Sequence, residues 1–170
     1  VAKDLGINNA TLIHHYPSKV ALIKAVIERF TQRFEAVADS TNADGGPRAR
    51  LARHMRSSLE LMRTSPEMFV VLNEIMIRAR RDDQISHLVS VPLSAWRQHI
   101  VSLVLLPVNE KNVAARREAE EIAIACMSQL LGMGLLLNSI DHANAPFGPI
   151  RDRSETRAIA ALTHLVTEKL

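Results

Sequence analysis

The sequence predicts an all-α protein, and three observations carry that expectation. Apolar residues recur at three- and four-residue spacing through almost the whole chain, helix caps and first-turn prolines punctuate it, and no stretch alternates apolar and polar residues as a half-buried strand would. Hydrophobic residues make up 47% of 170, enough for a core, but aromatics are only 4%, so Leu, Ile, Val, Ala and Met must fill most of it.

Taken in order, Val1 to Leu5 read as the end of one helix, Gly6 as a turn, and Asn8 as the opening of a short helix closed by His14-His15-Tyr16. Ser18 can cap a longer helix whose stripe is Leu22, Ile23, Val26, Ile27, Phe30 and Phe34. That helix runs to the Asn42-Ala-Asp-Gly-Gly-Pro47 break, the clearest boundary in the chain. Pro47 suits the first turn of the next helix, with Leu51, Met55, Leu59 and Met62 on one face.

Ser65-Pro66-Glu67 combines a cap, a first-turn proline and an acid where the helix dipole favours one. The helix it opens, to about Arg80, is apolar on most sides and is expected at the centre of a bundle. Arg78, Arg80 and Arg81 close it, and Asp82-Asp83 open the next. Pro92 lies inside that next segment, residues 83–106, and predicts a kink or a break near residues 88–92. A turn at Pro107 to Asn112 leads into a long helix over 113–140. Asp141 to Asp152 reads as a loop, and Ser154 opens a last helix with Ile159, Leu162, Leu165, Val166 and Leu170 on one side.

Several function classes lose ground on composition. No apolar run approaches the roughly 20 residues that span a bilayer, and no secretory leader is visible. The single cysteine, Cys126, cannot form an internal disulfide and fits a cytoplasmic protein; its apolar neighbours predict a buried side chain. No metal-binding His-Glu-x-x-His, phosphate-cradling glycine loop or nucleophile elbow occurs, and His54, His87, His99, His142 and His164 lack ligand spacing. No catalytic residue, metal or cofactor is therefore expected.

Charge is more informative by region. Residues 1–34 hold Lys3, Lys19, Lys24, Arg29 and Arg33 against Asp4 and Glu28, which accounts for the whole net charge of +3; the remaining 16 basic and 16 acidic residues balance. A glycine turn between two short helices, within the basic end of the chain, is helix-turn-helix grammar. Residues at the start of the second helix of such a unit face base edges: Asn9 suits adenine and Ala10 leaves room for a thymine methyl. Thr11, His14, His15 and Lys19 are placed for phosphates, which orient the protein without specifying sequence.

Over residues 1–30 the chain resembles the TetR (tetracycline-repressor-like) family of transcriptional regulators. The resemblance rests on Ala2 and Leu5, the Gly6 turn, Ile7, Asn8 in the capping place usually held by serine, Leu12, the His14-His15-Tyr16 closure and Pro17-Ser18-Lys19. The family commonly carries a tyrosine where Ile13 stands, so one backbone contact has no counterpart here. The resemblance implies a partial DNA-binding domain over 1–34, lacking the first helix and most of the second, and a helical effector-binding and dimerisation domain over 35–170. It further implies double-stranded operator DNA as a partner, a small effector that releases a repressor, and a homodimer built from the last two long helices.

The residues add their own support for the last two expectations. Ala123, Ala125, Gly132 and Gly134 permit close helix approach beside Ile122, Leu130, Leu131, Leu135 and Leu136, which predicts pairing of the helices at 113–140 and 154–170 across a two-fold. Met55, Met62, Phe69, Met76, Trp96 and Met127 are large or flexible apolar groups suited to a cavity for an apolar or amphipathic effector, with Asn73 or His99 as its polar handle. Two rival functions remain open: a helical protein-interaction module with a degenerate reader, and a helical-bundle enzyme.

Overall fold

The computed structural model describes residue 6 and residues 8–41 and 45–139. These form six α-helices, α1 (Asn9–His15), α2 (Lys19–Thr41), α3 (Pro47–Thr64), α4 (Pro66–Ala79), α5 (Asp83–Val104) and α6 (Val113–Ser139), with a 3₁₀ turn at Pro107–Asn109. Among the described residues there is no strand. The expected loop over 141–152 and the expected helix at 154–170 lie outside the described residues, as do Ala2, Leu5 and Ile7.

Local chemistry explains the boundaries. Asn8 Oδ1 accepts from the Ala10 amide at 3.0 Å and starts α1, and Ser18 Oγ accepts from the Ala21 amide at 3.0 Å at the head of α2. Pro47 and Pro66 stand in first turns, where the missing amide is no loss. Asp82 Oδ1 takes both the Gln84 and Ile85 amides to open α5, and Asn112 does the same for Ala114 and Ala115 at α6. Ser65 departs from expectation. Its hydroxyl makes no cap and accepts instead from the Arg33 guanidinium, tying α2 to the α3–α4 junction.

Helices α2 to α6 pack as one bundle, in which α5 touches every other member of the set; α1 joins none of the extensive contacts. The main core unites Phe30 and Phe34 of α2, Leu51, Met55 and Met62 of α3, Phe69 of α4, Trp96 and Ile100 of α5, and Ala123, Cys126 and Leu130 of α6. A smaller core nearer the start of α2 joins Ile23, Ile27, Ile75, Ile85 and Val89. Cys126 is fully buried, and desolvation pushes its thiol up to about 11, so it is a packing residue. Arg97 and Glu120 pair across α5 and α6.

One expectation needs correction. Helix α4 is not surrounded by protein: Phe69, Leu72 and Ile75 are buried, but Val70, Val71 and Ile77 are exposed. An apolar sequence told of a buried helix, whereas only one face of it is covered by its neighbours. Of the kink or break expected at Pro92, the break does not occur: α5 is one helix from Asp83 to Val104. Packing against α2, α4 and α6 holds the helix through the one hydrogen bond that proline cannot make.

The two glycines of α6 serve different ends. A methyl on Gly134 would lie 3.4 Å from both Met62 Sδ and Phe69 Cδ1, whereas one on Gly132 would meet nothing within 4 Å. Gly134→Leu is therefore expected to cost about 1–3 kcal/mol through overpacking. Gly132→Ala should gain roughly 0.5–1 kcal/mol from reduced chain entropy in the unfolded state. Urea unfolding of both variants checks the pair, and equal losses would contradict the close approach at Gly134.

Candidate functional site

Two regions bring together residues singled out from sequence. The first is α1 and the start of α2. Gly6 has φ +65°, a left-handed conformation that L side chains rarely adopt, and it leads into the Asn8 cap. Helix α1 has only seven residues. It exposes Ala10, Thr11, His14 and His15, and Lys19 is exposed where α2 begins, while Leu12 is half-buried. The side chain of Asn9 lies outside the described set. The two histidine rings stand edge to face at 5.4 Å. Ile13 is 61% exposed, a large apolar group on the same short helix.

The second region is a cavity of about 120 Å³ along the seam of α2 and α5, closed on one side by Leu72 of α4. Helix α2 supplies Ile27, Phe30, Thr31, Phe34, Glu35 and Ala38; the facing wall of α5 includes Val89, Pro92, Leu93, Trp96 and His99. Of the eight residues expected to line an effector site, Trp96 and His99 border this cavity. Met55, Met62 and Phe69 are fully buried in the main core, and Met76 and Met127 pack on that core from its edge. Asn73 is half-buried on α4 and is not part of the wall. Met55 and Met62 belong to the main core, Met127 packs against it, and Met76 packs against both cores.

Sequence reasoning missed Phe30, Phe34, Thr31, Glu35 and Pro92. The phenylalanines were assigned to the core stripe of a connecting helix, and they are core residues, but the same rings also border the cavity. Their i, i+4 spacing opposite a helix with an internal proline was the available signal.

Behind the cavity lies an aromatic and polar cluster. The Phe34 ring centre lies 4.7 Å from that of Trp96 and 4.6 Å from that of Phe30, both pairs tilted, and Phe69 meets Phe30 edge to face at 5.7 Å. The Trp96 indole N–H donates to His54 Nε2 at 2.9 Å across α5 and α3. That bond places the His54 proton on Nδ1, which is buried with no hydrogen-bond partner, as is Ser58 Oγ one turn further along α3. The His99 ring lies 5.1 Å from that of His54. Burial, reinforced by His99, holds the His54 pKa down at about 3.

Among the described residues no group of three His, Cys, Asp or Glu side chains is placed to hold a metal ion, and no helix is long and apolar enough to cross a membrane. No family model, curated protein or solved structure matches the chain.

The neutral His54 gives a signed pH dependence. Its folded pKa is about 3 and its ordinary value 6.5, so between these values the unfolded chain binds the extra proton. The stability that follows is present above pH 6.5 and is lost as pH falls through the window. The slope reaches at most about 1.4 kcal/mol per pH unit. His54→Gln keeps an acceptor for the indole N–H but does not titrate, and is expected to flatten that slope. Urea unfolding at several pH values checks it; an equally steep loss in the variant would assign the acid sensitivity to other groups.

Proposed function

We propose that this protein is a sequence-specific DNA-binding transcriptional regulator, a repressor of the TetR-like kind that its amino-terminal segment resembles, released by a small effector in the bundle. The observation that carries this reading is the course of α2. One uninterrupted helix begins at Lys19, beside the exposed residues of α1, and its residues Ile27 to Ala38 form one wall of the cavity. A ligand between α2 and α5 therefore presses on the helix that bears the reading segment.

In this reading α1 is the recognition helix of a helix-turn-helix. Asn9 and Ala10 face base edges, and Thr11, His14, His15 and Lys19 meet phosphates of operator DNA. The functional unit is a homodimer through the helices at 113–140 and 154–170, acting in the cytoplasm. Ile124 and Leu135, exposed apolar residues of α6, support that pairing. Moving such a dimer from 1:99 to 99:1 in favour of a non-binding form takes about 5.5 kcal/mol of differential effector binding. A second reading, a helical interaction module with a degenerate reader, is favoured by Ile13, which exposes a large apolar group where a DNA-facing helix has more use for polar ones.

Gel shift of the full-length protein against randomised duplexes, followed by enrichment, separates the two. The regulator selects a two-fold-related sequence, and the interaction module selects none. On the selected site Asn9→Ala is expected to cost about 1–3 kcal/mol at one base pair and to relax preference there. Lys19→Ala should weaken all duplexes alike and lower the slope of log K against log salt by about one. Uniform loss for Asn9→Ala would remove it from direct readout, and an unchanged salt slope would remove Lys19 from the phosphate contacts.

A further inference from the structure

We infer that the cavity between α2 and α5 takes a small apolar molecule carrying one positive charge, with its apolar body against Phe30, Phe34 and Trp96 and its cationic end at the Glu35 carboxylate. The inference deepens the effector reading and rests on it for its biological meaning, although the binding itself involves no DNA.

Four features of the wall point the same way. Its polar atoms are largely engaged within the protein: the Thr31 hydroxyl donates to the Ile27 carbonyl at 2.9 Å, and the Trp96 N–H donates to His54 at 2.9 Å. A ligand body buried there meets methyl groups and ring faces, and a polar body would lose its hydration without replacement. Glu35 is the one carboxylate on the wall, and neither lysine nor arginine joins it. Its side chain is exposed, and no ion pair to it exists among the described residues.

The third feature is the aromatic wall. Ring faces of Phe and Trp attract a cation electrostatically, and an apolar setting strengthens that attraction. An anionic ligand would set its charge against that of Glu35, a like-charge contact, with the His99 imidazole the one other titratable group on the wall. Size is the fourth. A cavity of about 120 Å³ compares with the roughly 150 Å³ that holds a benzene molecule, so the body is one ring or a short alkyl chain. Ligand chemistry is thus narrowed to small hydrophobic amines and their quaternary relatives.

Hexylamine, hexanol and hexanoate share one chain and differ in the charge of the head, and Trp96, the sole tryptophan, reports on the cavity wall by its fluorescence. With the full-length protein at neutral pH, hexylammonium is expected to bind about fivefold to tenfold more tightly than hexanol, and hexanoate the least. Glu35→Gln should bring the amine to the level of the alcohol while leaving the alcohol unchanged. Hexanoate binding as tightly as the amine, a preference that survives Glu35→Gln, or no fluorescence response to any of the three would each overturn the inference. Amine binding that shows the expected order but leaves DNA affinity unaltered would instead overturn the regulatory reading and leave the ligand class standing.

Discussion

The hydrogen bond from Trp96 to His54 is the constraint on which the bundle turns. It fixes the only tryptophan of the chain against α3, and the same indole packs at a tilt against Phe34 of α2. Three helices thus meet at one side chain, whose ring also walls the cavity. The bond exists only while His54 is neutral, because a doubly protonated imidazole has no lone pair to offer. Complete burial supplies that condition by making the charged form expensive. An unpartnered Nδ1 and the unpartnered Ser58 hydroxyl beside it are the cost, of the order of 1–3 kcal/mol each. What is gained is position: the tryptophan cannot rotate to offer its N–H to the cavity.

The cavity in the seam of α2 and α5 lies beside this arrangement. The two cores are not continuous along α2. Ile23 and Ile27 belong to the smaller one with Ile75, Ile85 and Val89, and Phe30 and Phe34 belong to the larger. The cavity lies where they meet, since its wall takes Ile27 and Val89 from one and Phe30, Phe34 and Trp96 from the other. Pro92 stands at the same level of α5, one turn before Trp96, where the ring replaces an amide and no longer side chain fills the space. A cavity between two separately packed cores costs less than one cut into either, because neither cluster is left without its contacts.

Much of this fold was legible in the sequence because caps and prolines act locally. Ser18, Pro47 and Asp82 mark helix starts through bonds within their own first turns, so no tertiary knowledge was needed to read them. The start of the 113–140 helix is legible for the same reason, because Asn112 caps it at Val113. Periodicity, by contrast, tells that a face is apolar but not what covers it. Val70 and Ile77 are as apolar as Phe69 and Leu72, yet only the latter pair meets neighbouring helices. Flexible side chains suit irregular spaces, which makes the methionines cavity candidates from sequence, but Met55 and Met62 are fully buried in the main core. The cavity itself depends on Phe34 and Trp96, 62 positions apart in the chain, standing at 4.7 Å. No local pattern encodes that distance. The exposure of Ala10, Thr11 and Lys19 followed from spacing along a short helix, which is why the proposed reader could be outlined before the bundle could.

Helix α2 is the one element that touches every part of the argument. From Lys19 to Glu35 it rises about 24 Å at 1.5 Å per residue, which separates the basic end of the chain from the cavity by a single stiff rod. The rod is held at two heights, by the Ile23–Ile27 core below the cavity and by the Arg33–Ser65 contact together with the Phe30–Phe34 core beside it. In the proposed regulator a ligand body slightly larger than the cavity of about 120 Å³ shifts α2 relative to α5, because the close-packed clusters on either side resist compression. The displacement therefore appears as a tilt between the two cores, with the lever arm running toward Lys19. In the proposed regulator that tilt is enough, because two reading heads on one dimer must match a fixed half-site spacing of about 34 Å. The aromatic wall and the rim carboxylate both come from this helix, as Phe30, Phe34 and Glu35, so in the proposed regulator the helix that holds the ligand is the one that carries the reading segment.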